Sequence, residues 1–474
     1  MARFDLFVIG GGSGGIACAR RAAAYGARVG LAEPGRLGGT CVVRGCVPKK
    51  LMHYAAHLGG LIRTSRSYGW RVTEPELDFR ALLEARNGEI RRLEGIYERL
   101  LETAGVTLFR APARLVSKGE APHRVAVGGE EVLADNLLVA VGGRPSLPEV
   151  PGIEHAVTSE FLLEEVYDRP KHLVVVGAGY IGLELASIMR GLGVRVTLVY
   201  RRDLPLRGFD HELRIELAEA LAREGIELRP CTRVARIGKH ADGVVLETDS
   251  GPIEAGMVLY ATGREPVPNT RGLGLEEAGV RMDADGTIYV DITYRSNVPG
   301  IYAVGDCSDH AGHGLRANQY DLTPVAIAEG RAIAERLFRD HPQLVNYETV
   351  PTAVFSIPQA ASVGYTEQQA RDLGHDVAVY KTRFRPMLHS LEGGQQQTFM
   401  KILVDRADDR VLGCHMVGED AAEIIQGFAV ALTCGATKEQ FDATVGLHPS
   451  AAEEFVTMYQ PAVPSAEPAS ETTS

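Results

Sequence analysis

Residues 4–33 read FDLFVIGGGSGGIACARRAAAYGARVGLAE. The apolar run at 4–10 has the length and flanks of a buried strand. A glycine-rich turn follows, then an alanine-rich helix, IACARRAAAYG, and then ARVGLAE as a second strand. Gly10, Gly12 and Gly15 fall in GxGxxG spacing, and the acid Glu33 comes 23 residues after Gly10. Glycines at these points let backbone amides approach a pyrophosphate, and the helix N-terminus adds partial positive charge. An acid ending the second strand suits ribose hydroxyls.

The pattern recurs at 172–200, HLVVVGAGYIGLELASIMRGLGVRVTLVY, with Gly177, Gly179 and Gly182. A lone GxGxxG is a weak signal; two copies, each between a strand and a helix, are strong evidence for dinucleotide binding. The copies differ where the second strand ends. The position matching Glu33 is Tyr200, followed by Arg201, Arg202 and then Arg207. A guanidinium fork suits a 2′-phosphate that a carboxylate would repel. The second unit is therefore expected to take NADPH over NADH; the competing reading is an ordinary solvated loop.

Outward from these units, 474 residues allow about two to four domains of roughly 100–200 residues each. The charged share of 23% and hydrophobic share of 45% are ordinary for a globular chain. The net charge of −11 argues against nucleic acid or an anionic membrane as main partner. No membrane span and no secretory signal are expected, since no long apolar run exists and the N-terminus enters a strand directly. A cytoplasmic setting follows, with the seven cysteines mostly reduced. The expected fold class is α/β: two Rossmann-like domains plus a C-terminal α+β domain. Expected boundaries are 1–145 and 271–345 as two parts of the first domain, 146–270 as the second, 346–462 as the third, and a disordered tail at 463–474. Helical stretches are expected near 419–435 and 450–459.

The stretch GGTCVVRGCVPKK at 38–50 sets Cys41 and Cys46 five positions apart. Three readings stand: a metal half-site, a structural disulfide, or a redox couple. No second close cysteine pair completes a zinc site, so no metal is expected. A reducing compartment disfavours a structural staple. A redox couple needs a base, because the thiolate is the nucleophile. Lys49, Lys50 and Arg44 stabilise a thiolate but accept protons poorly, and Arg44 could add positive potential at the thiols. His448, in GLHPSAAEE with Glu453 to orient it, is the better base. Cys18, Cys231, Cys307, Cys414 and Cys434 are expected as buried thiols.

Together, GGGSGG at 10–15, GGTCVVRGCVPKK at 38–50, GAGYIGLELA at 177–186, RRDLPLRGFD at 201–210, ATGREPVPNT at 261–270, IYAVGDC at 301–307, LTPVAIAEGR at 322–331 and LHPSAAEEFVTM at 447–458 resemble the pyridine nucleotide–disulfide oxidoreductase family. The match runs from residue 4 to about 460. The resemblance implies FAD in the first unit, with Gly10, Gly12, Ser13, Gly14, Gly15, Glu33, Gly39, Thr40, Cys41, Lys49, Gly142, Asp306, Leu322 and Thr323 around it. It implies NADPH in the second, against Gly177, Gly179, Tyr180, Ile181, Glu184, Arg201, Arg207, Gly263 and Arg264, with Tyr180 over the nicotinamide and the three arginines at the phosphate or adenosine end. Lys49 and Glu184 resemble the family's ion pair beside the flavin. Within the family the resemblance implies the branch that reduces glutathione disulfide, with Arg20, Tyr97, Arg331, His448 and Glu453 at the substrate. Cys46 would face the flavin and Cys41 the substrate. It also implies a homodimer in which His448 serves the partner's thiols, and a role in redox homeostasis and oxidative stress defence. Trypanothione-like or dihydrolipoamide-type disulfides are alternatives, as is a redox sensor without turnover. VPKK and the arginines depart from the dihydrolipoamide pattern, and Ala17 and Arg20 from the trypanothione one. Val43 and Arg44 between the cysteines depart from the family's usual Asn-Val.

Overall fold

The computed structural model describes residues 1–119, 121–240, 243–264, 269–310, 320–341 and 344–463. The tail expected as disordered, beyond residue 463, and part of the expected boundary near 265–275 lie outside these residues. Two compact units are present. The first comprises Met1–Gly59, Pro75–Arg201 and Arg229–Asn346; the second comprises Gly60–Glu74, Arg202–Leu228 and the chain from Tyr347 onward.

In the first unit, the opening strand is Arg3–Ile9. It pairs in parallel with Val29–Ala32 on one side and Glu130–Val139 on the other. Thr107–Phe109 extends the sheet beyond Val29–Ala32, and Ile301–Ala303 adds a further parallel strand on Glu130–Val139. Alternation decides which side each residue packs on. Leu6 and Val8 pack with Ile16, Ala19 and Ala22 of the helix Ser13–Ala24. Phe7 and Ile9 pack on the opposite face with Val125 and Leu137. Ile9 stands level with Ala32 and Val139, so the glycine turn leaves the sheet at its carboxyl edge, where ligands bind in such folds.

The helix Thr323–Arg339 crosses Ser13–Ala24 closely. A Cβ on Gly330 would sit 2.4 Å from the Gly14 carbonyl oxygen, so only glycine permits the approach. This crossing brings Thr323, the helix's first residue, to the redox thiols described below.

A second parallel sheet in the same unit has the order Arg195–Val199, His172–Val176, Met257–Tyr260, Val157–Thr158. Its helix Tyr180–Gly191 repeats the place of Ser13–Ala24. The two glycine turns are built alike: Gly10 has φ +113 and Gly177 has φ +111, and a Cβ there would lie 2.3 Å and 2.4 Å from the carbonyl oxygens of Ala140 and Ala261. Several helices had no sequence expectation, among them the 25-residue Phe79–Thr103, His211–Arg223 and Thr323–Arg339.

The second unit holds an antiparallel sheet, in order Thr352–Val354, Gln359–Gly364, Val411–Gly418, Thr398–Asp405, Val377–Phe384. The two strands Thr398–Asp405 and Val411–Gly418 are buried along their whole length, which requires cover on both faces. Met400, Ile402, Cys414 and Met416 face the helix Ala421–Thr433. On the other face, Lys401 and His415 are register partners beneath the helix His211–Arg223. The stretch 450–459 is less helical than expected. It holds a 3₁₀ turn, Ala451–Glu453, and one α turn, Glu454–Thr457, between Pro449 and Pro461. A further short helix, Lys438–Ala443, had no sequence expectation.

Lys401 is buried with its charge and is met by three carboxylates. Its Nζ lies 3.0 Å from Asp210, 3.0 Å from Glu212 and 2.7 Å from Glu367. Burial alone would raise the Asp210 carboxyl, but His415, Lys401 and the Glu367 amide outweigh it and pull it down to about 2. His415 is itself pushed below its ordinary value by burial, so at neutral pH Lys401 supplies the attraction.

Lys401→Met leaves the buried Asp210 without its cation, while Glu212 keeps Lys381 and Glu367 keeps Arg371, and the unfolding free energy should drop by about 3–5 kcal/mol. The depressed Asp210 group stabilises the fold above its ordinary value of 3.8, and this is lost as pH falls toward 2. Denaturant titrations should show stability falling by on the order of 2 kcal/mol between about pH 4 and pH 2. A wild-type slope no steeper there than that of Lys401→Met would contradict this account.

Candidate active site

Cys41 lies in the short helix Gly39–Val43, and Cys46 opens the helix Cys46–Thr64. The helix start favours negative charge on Cys46. Both thiols are free and hydrogen-bond each other. The Cys46 sulfur is also 3.6 Å from the Thr323 hydroxyl. The hydrogen bond from Cys41, the nearby Lys49 charge and Thr323 pull Cys46 down to about 6, against burial and Glu184. Cys41 moves the other way, raised by that same hydrogen bond, by burial and by the negative charge on Cys46. The two shifts run in opposite directions, so Cys46 is the more acidic thiol of the pair. Cys46 keeps an accessible face even though the protein around it penalises its charge.

Lys49 stands one helical turn past Cys46. Its Nζ is 2.7 Å from Glu184 of the helix Tyr180–Gly191, and both side chains are largely buried. Such a pair persists only where both charges have partners. Tyr180 opens that helix, its hydroxyl raised by burial and by the charges of Asp306 and Glu184. Ile181 follows it, half-buried. Lys49, Glu184, Tyr180 and Asp306 thus meet on the Cys46 side of the thiols.

On the Cys41 side, Ser13 hydrogen-bonds the Cys41 thiol. Tyr97 is raised by burial and by the Cys41 charge and lowered by Arg20, so its ring lies within the field of both. Arg20 and Arg331 are exposed on their helices.

Arg264 is placed differently from expectation. It donates to the Gly143 carbonyl at 2.5 Å and to Thr40 at 3.4 Å, and pairs with Glu160 at 3.3 Å and Asp306 at 3.7 Å. It is buried in a cluster of acceptors next to the redox helix. Arg44 departs from expectation as well. Glu160 at 3.6 Å and Glu164 at 3.5 Å neutralise it. Glu160 therefore joins the loop between the cysteines to Arg264. It had no sequence signal, because it stands in TSEFLLEE outside any motif.

The two glycine turns can accept phosphates. A Cβ on Gly12 would meet only Gly39, at 3.9 Å, and one on Gly179 would meet nothing within 4 Å. The other motif glycines are closed by backbone, so the middle glycine of each turn is where a ligand can come close. Glu33 accepts from the Gly11 amide at 2.8 Å and the Gly35 amide at 2.8 Å. Each of its oxygens retains capacity for a ribose hydroxyl. Gly142, Gly263 and Leu322 flank the same edge: Asn269 donates to the Gly142 carbonyl, Ser146 to that of Gly263, and Leu322 precedes the first turn of Thr323–Arg339. These donors and openings fit FAD at the first turn and a nicotinamide dinucleotide at the second. Arg201 and Arg207 are exposed in the loop after Arg195–Val199.

In the second unit, the His448 Nδ1 is 3.1 Å from both Glu453 carboxylate oxygens. Glu453 also accepts from the Ser450 amide at 3.2 Å. The carboxylate holds the proton on Nδ1 and leaves Nε2 as a lone-pair base pointing outward. The side chain of His448 is 80% exposed.

Of the other cysteines, Cys18, Cys307 and Cys414 are buried as expected. Cys231 and Cys434 are exposed instead, the first in a turn at φ 51 and the second capping the helix Ala421–Thr433. Among the described residues no cluster of three or more His, Cys, Asp or Glu side chains could hold a metal ion, and no helix is long and apolar enough to cross a membrane.

Lys49→Met removes the cation that lowers Cys46 and leaves Glu184 to raise it. The midpoint of iodoacetamide alkylation of the reduced protein should rise by at least one pH unit, about a tenfold loss of thiolate well below the midpoint. Arg44→Val should leave that midpoint in place, and a comparable rise in both variants would refute the charge assignment.

Residues 4–330 match the family described as "Pyridine nucleotide-disulphide oxidoreductase", and residues 350–459 match its dimerisation domain. The chain is similar to "Glutathione reductase" of Nostoc sp., 48% identical over 96% of this chain and 99% of that protein. It is 45% identical to "Glutathione reductase" of Burkholderia cepacia, over 96% and 98% respectively. With "Glutathione reductase, chloroplastic/mitochondrial" of Pisum sativum the identity is 44%, over 97% and 82%.

Proposed function

The chain belongs to the pyridine nucleotide-disulphide oxidoreductase family, and we propose that it reduces glutathione disulfide to two glutathione molecules with NADPH. The carrying observation is the pair of free thiols, Cys41 and Cys46, with Cys46 at a helix start beside the buried Lys49–Glu184 ion pair. The cofactors are FAD and NADPH. When bound, FAD relays two electrons from NADPH to the Cys41–Cys46 disulfide.

The chain's own residues then divide the work. Gly12 and Gly179 admit the two pyrophosphates, and Glu33 holds a ribose. Lys49, fixed by Glu184, keeps Cys46 anionic. Cys41 must lose its proton before it can attack, and His448 Nε2 accepts it. The Cys41 thiolate attacks one sulfur of glutathione disulfide, forming a mixed disulfide and expelling one glutathione thiolate. His448, now protonated, returns the proton to that leaving thiolate. The Cys46 thiolate attacks the Cys41 sulfur, releasing the second glutathione and restoring the Cys41–Cys46 disulfide. Arg20 and Arg331 offer positive charge to the substrate's carboxylates, and Tyr97 stands beside Cys41.

Cys41 and His448 belong to different compact units. The exposed His448 is flanked by Val445, 92% exposed, and Leu447, 74% exposed. Apolar residues so bare beside a base suit cover by a second copy of the chain. The functional form is thus a homodimer in which each His448 serves the partner's thiols. The division into an FAD domain at 1–145 and 271–345, an NADPH domain at 146–270 and an interface domain at 346–462 belongs to this reading, as does a cytoplasmic location.

Purified protein with NADPH and glutathione disulfide should lose the reduced-nicotinamide absorbance faster than with trypanothione-like or dihydrolipoamide-type disulfides. No loss with any disulfide would leave only a redox sensor. His448→Ala should lower the turnover rate by about 10²–10⁴-fold. Cys41→Ser and His448→Ala subunits, each inactive alone, should regain activity when mixed as heterodimers, because one of the two sites is then intact. Absence of complementation in verified heterodimers would rule out the shared site.

A further inference from the structure

Arg201, Arg202 and Arg207 all lie in the segment 201–209 and are exposed. Long exposed cations have little positional order of their own, so their aim depends on the backbone that carries them. That backbone is fixed by a residue outside the loop. Arg214, one turn into the helix His211–Arg223 and 9% exposed, donates from Nε to the Pro205 carbonyl at 2.8 Å and from Nη2 to the Leu204 carbonyl at 3.2 Å. The next residue, Leu206, is buried at φ 56, and the Phe209 amide closes back onto its carbonyl at 3.3 Å.

The loop's far end is fixed as well. Asp210 caps the helix through the Glu212 amide at 3.1 Å, and Lys401 holds its carboxylate at 3.0 and 3.1 Å. Arg207 therefore sits between two clamps, the Arg214 fork before it and the Asp210–Lys401 pair after it. A merely solvated loop has no need of a buried guanidinium gripping its carbonyls.

We propose that Arg214 is a positioning residue for nicotinamide selection: its fork on Leu204 and Pro205 sets the backbone from which Arg207 reaches the 2′-phosphate of NADPH. This rests on the reading of Arg201 and Arg207 as the phosphate site. Glutamine at 214 cannot span both carbonyls, whereas lysine can still reach one of them.

The test measures dissociation constants of 2′,5′-ADP and 5′-AMP on the holoenzyme, together with KM and kcat for NADPH and NADH. Arg214→Gln should weaken 2′,5′-ADP and raise the KM for NADPH about five- to tenfold, with 5′-AMP, the KM for NADH and kcat within about twofold. Arg214→Lys should fall between wild type and Arg214→Gln, and it serves alone if the glutamine variant does not fold. Equal changes for both nicotinamides, or a lowered melting temperature with unchanged selectivity, would overturn the proposal. Arg207→Leu separates the two levels. If it weakens 2′,5′-ADP while the Arg214 variants do not, only this inference fails; if it too has no effect, the phosphate-site reading fails with it.

Discussion

The ion pair of Lys49 with Glu184 is the contact on which the chemistry of the first unit depends. It joins residues 135 positions apart, one on the redox helix and one on the helix that opens the second glycine turn. Neither charge could stay buried alone. Their union therefore fixes the helix that begins at Cys46 with respect to the second glycine turn, and Lys49 is one of the causes that pull Cys46 down. Position and ionisation come from one contact, so they cannot be altered separately.

Around it, charge is distributed so that most cations near the thiols are already neutralised. Arg44 is held by Glu160 and Glu164, and Arg264 by Glu160, Asp306 and carbonyl acceptors. This leaves the asymmetry between Cys41 and Cys46 to local causes: which sulfur begins a helix, which donates to the other, and which lies by Lys49. A more open field of guanidiniums would have lowered both thiols and blurred their roles.

The two nucleotide units were legible because their turns are dictated by steric contacts short enough to exclude any side chain, and such contacts leave glycines at fixed spacing. The helix Phe79–Thr103 was not, because its face is mixed and it carries no motif. Lys401 carries no mark in the sequence, since its carboxylates come from residues 34 to 191 positions away. Arg264 was assigned from the family resemblance, yet its partners are set by tertiary packing. Glu160 shows the same limit: an acid that bridges two arginines looks, in one dimension, like any helix-surface glutamate. The exposed Cys231 and Cys434 show that reduced thiols need not be buried where the chain turns.

The interleaving of the second unit bears on how such a protein can be divided. Its helix His211–Arg223 is contributed by the segment Arg202–Leu228, long before the sheet it covers. A cut between the segments matched at 4–330 and 350–459 would leave Asp210 and Glu212 in one fragment and Lys401 in the other. The earlier fragment would carry an acidic helix start without its lysine, and the later one a strand whose buried ammonium keeps only Glu367 of its three carboxylates. What looks like two modules in the linear chain is therefore one inheritable piece, and recombination at that seam would exchange a boundary of sequence, not a boundary of structure.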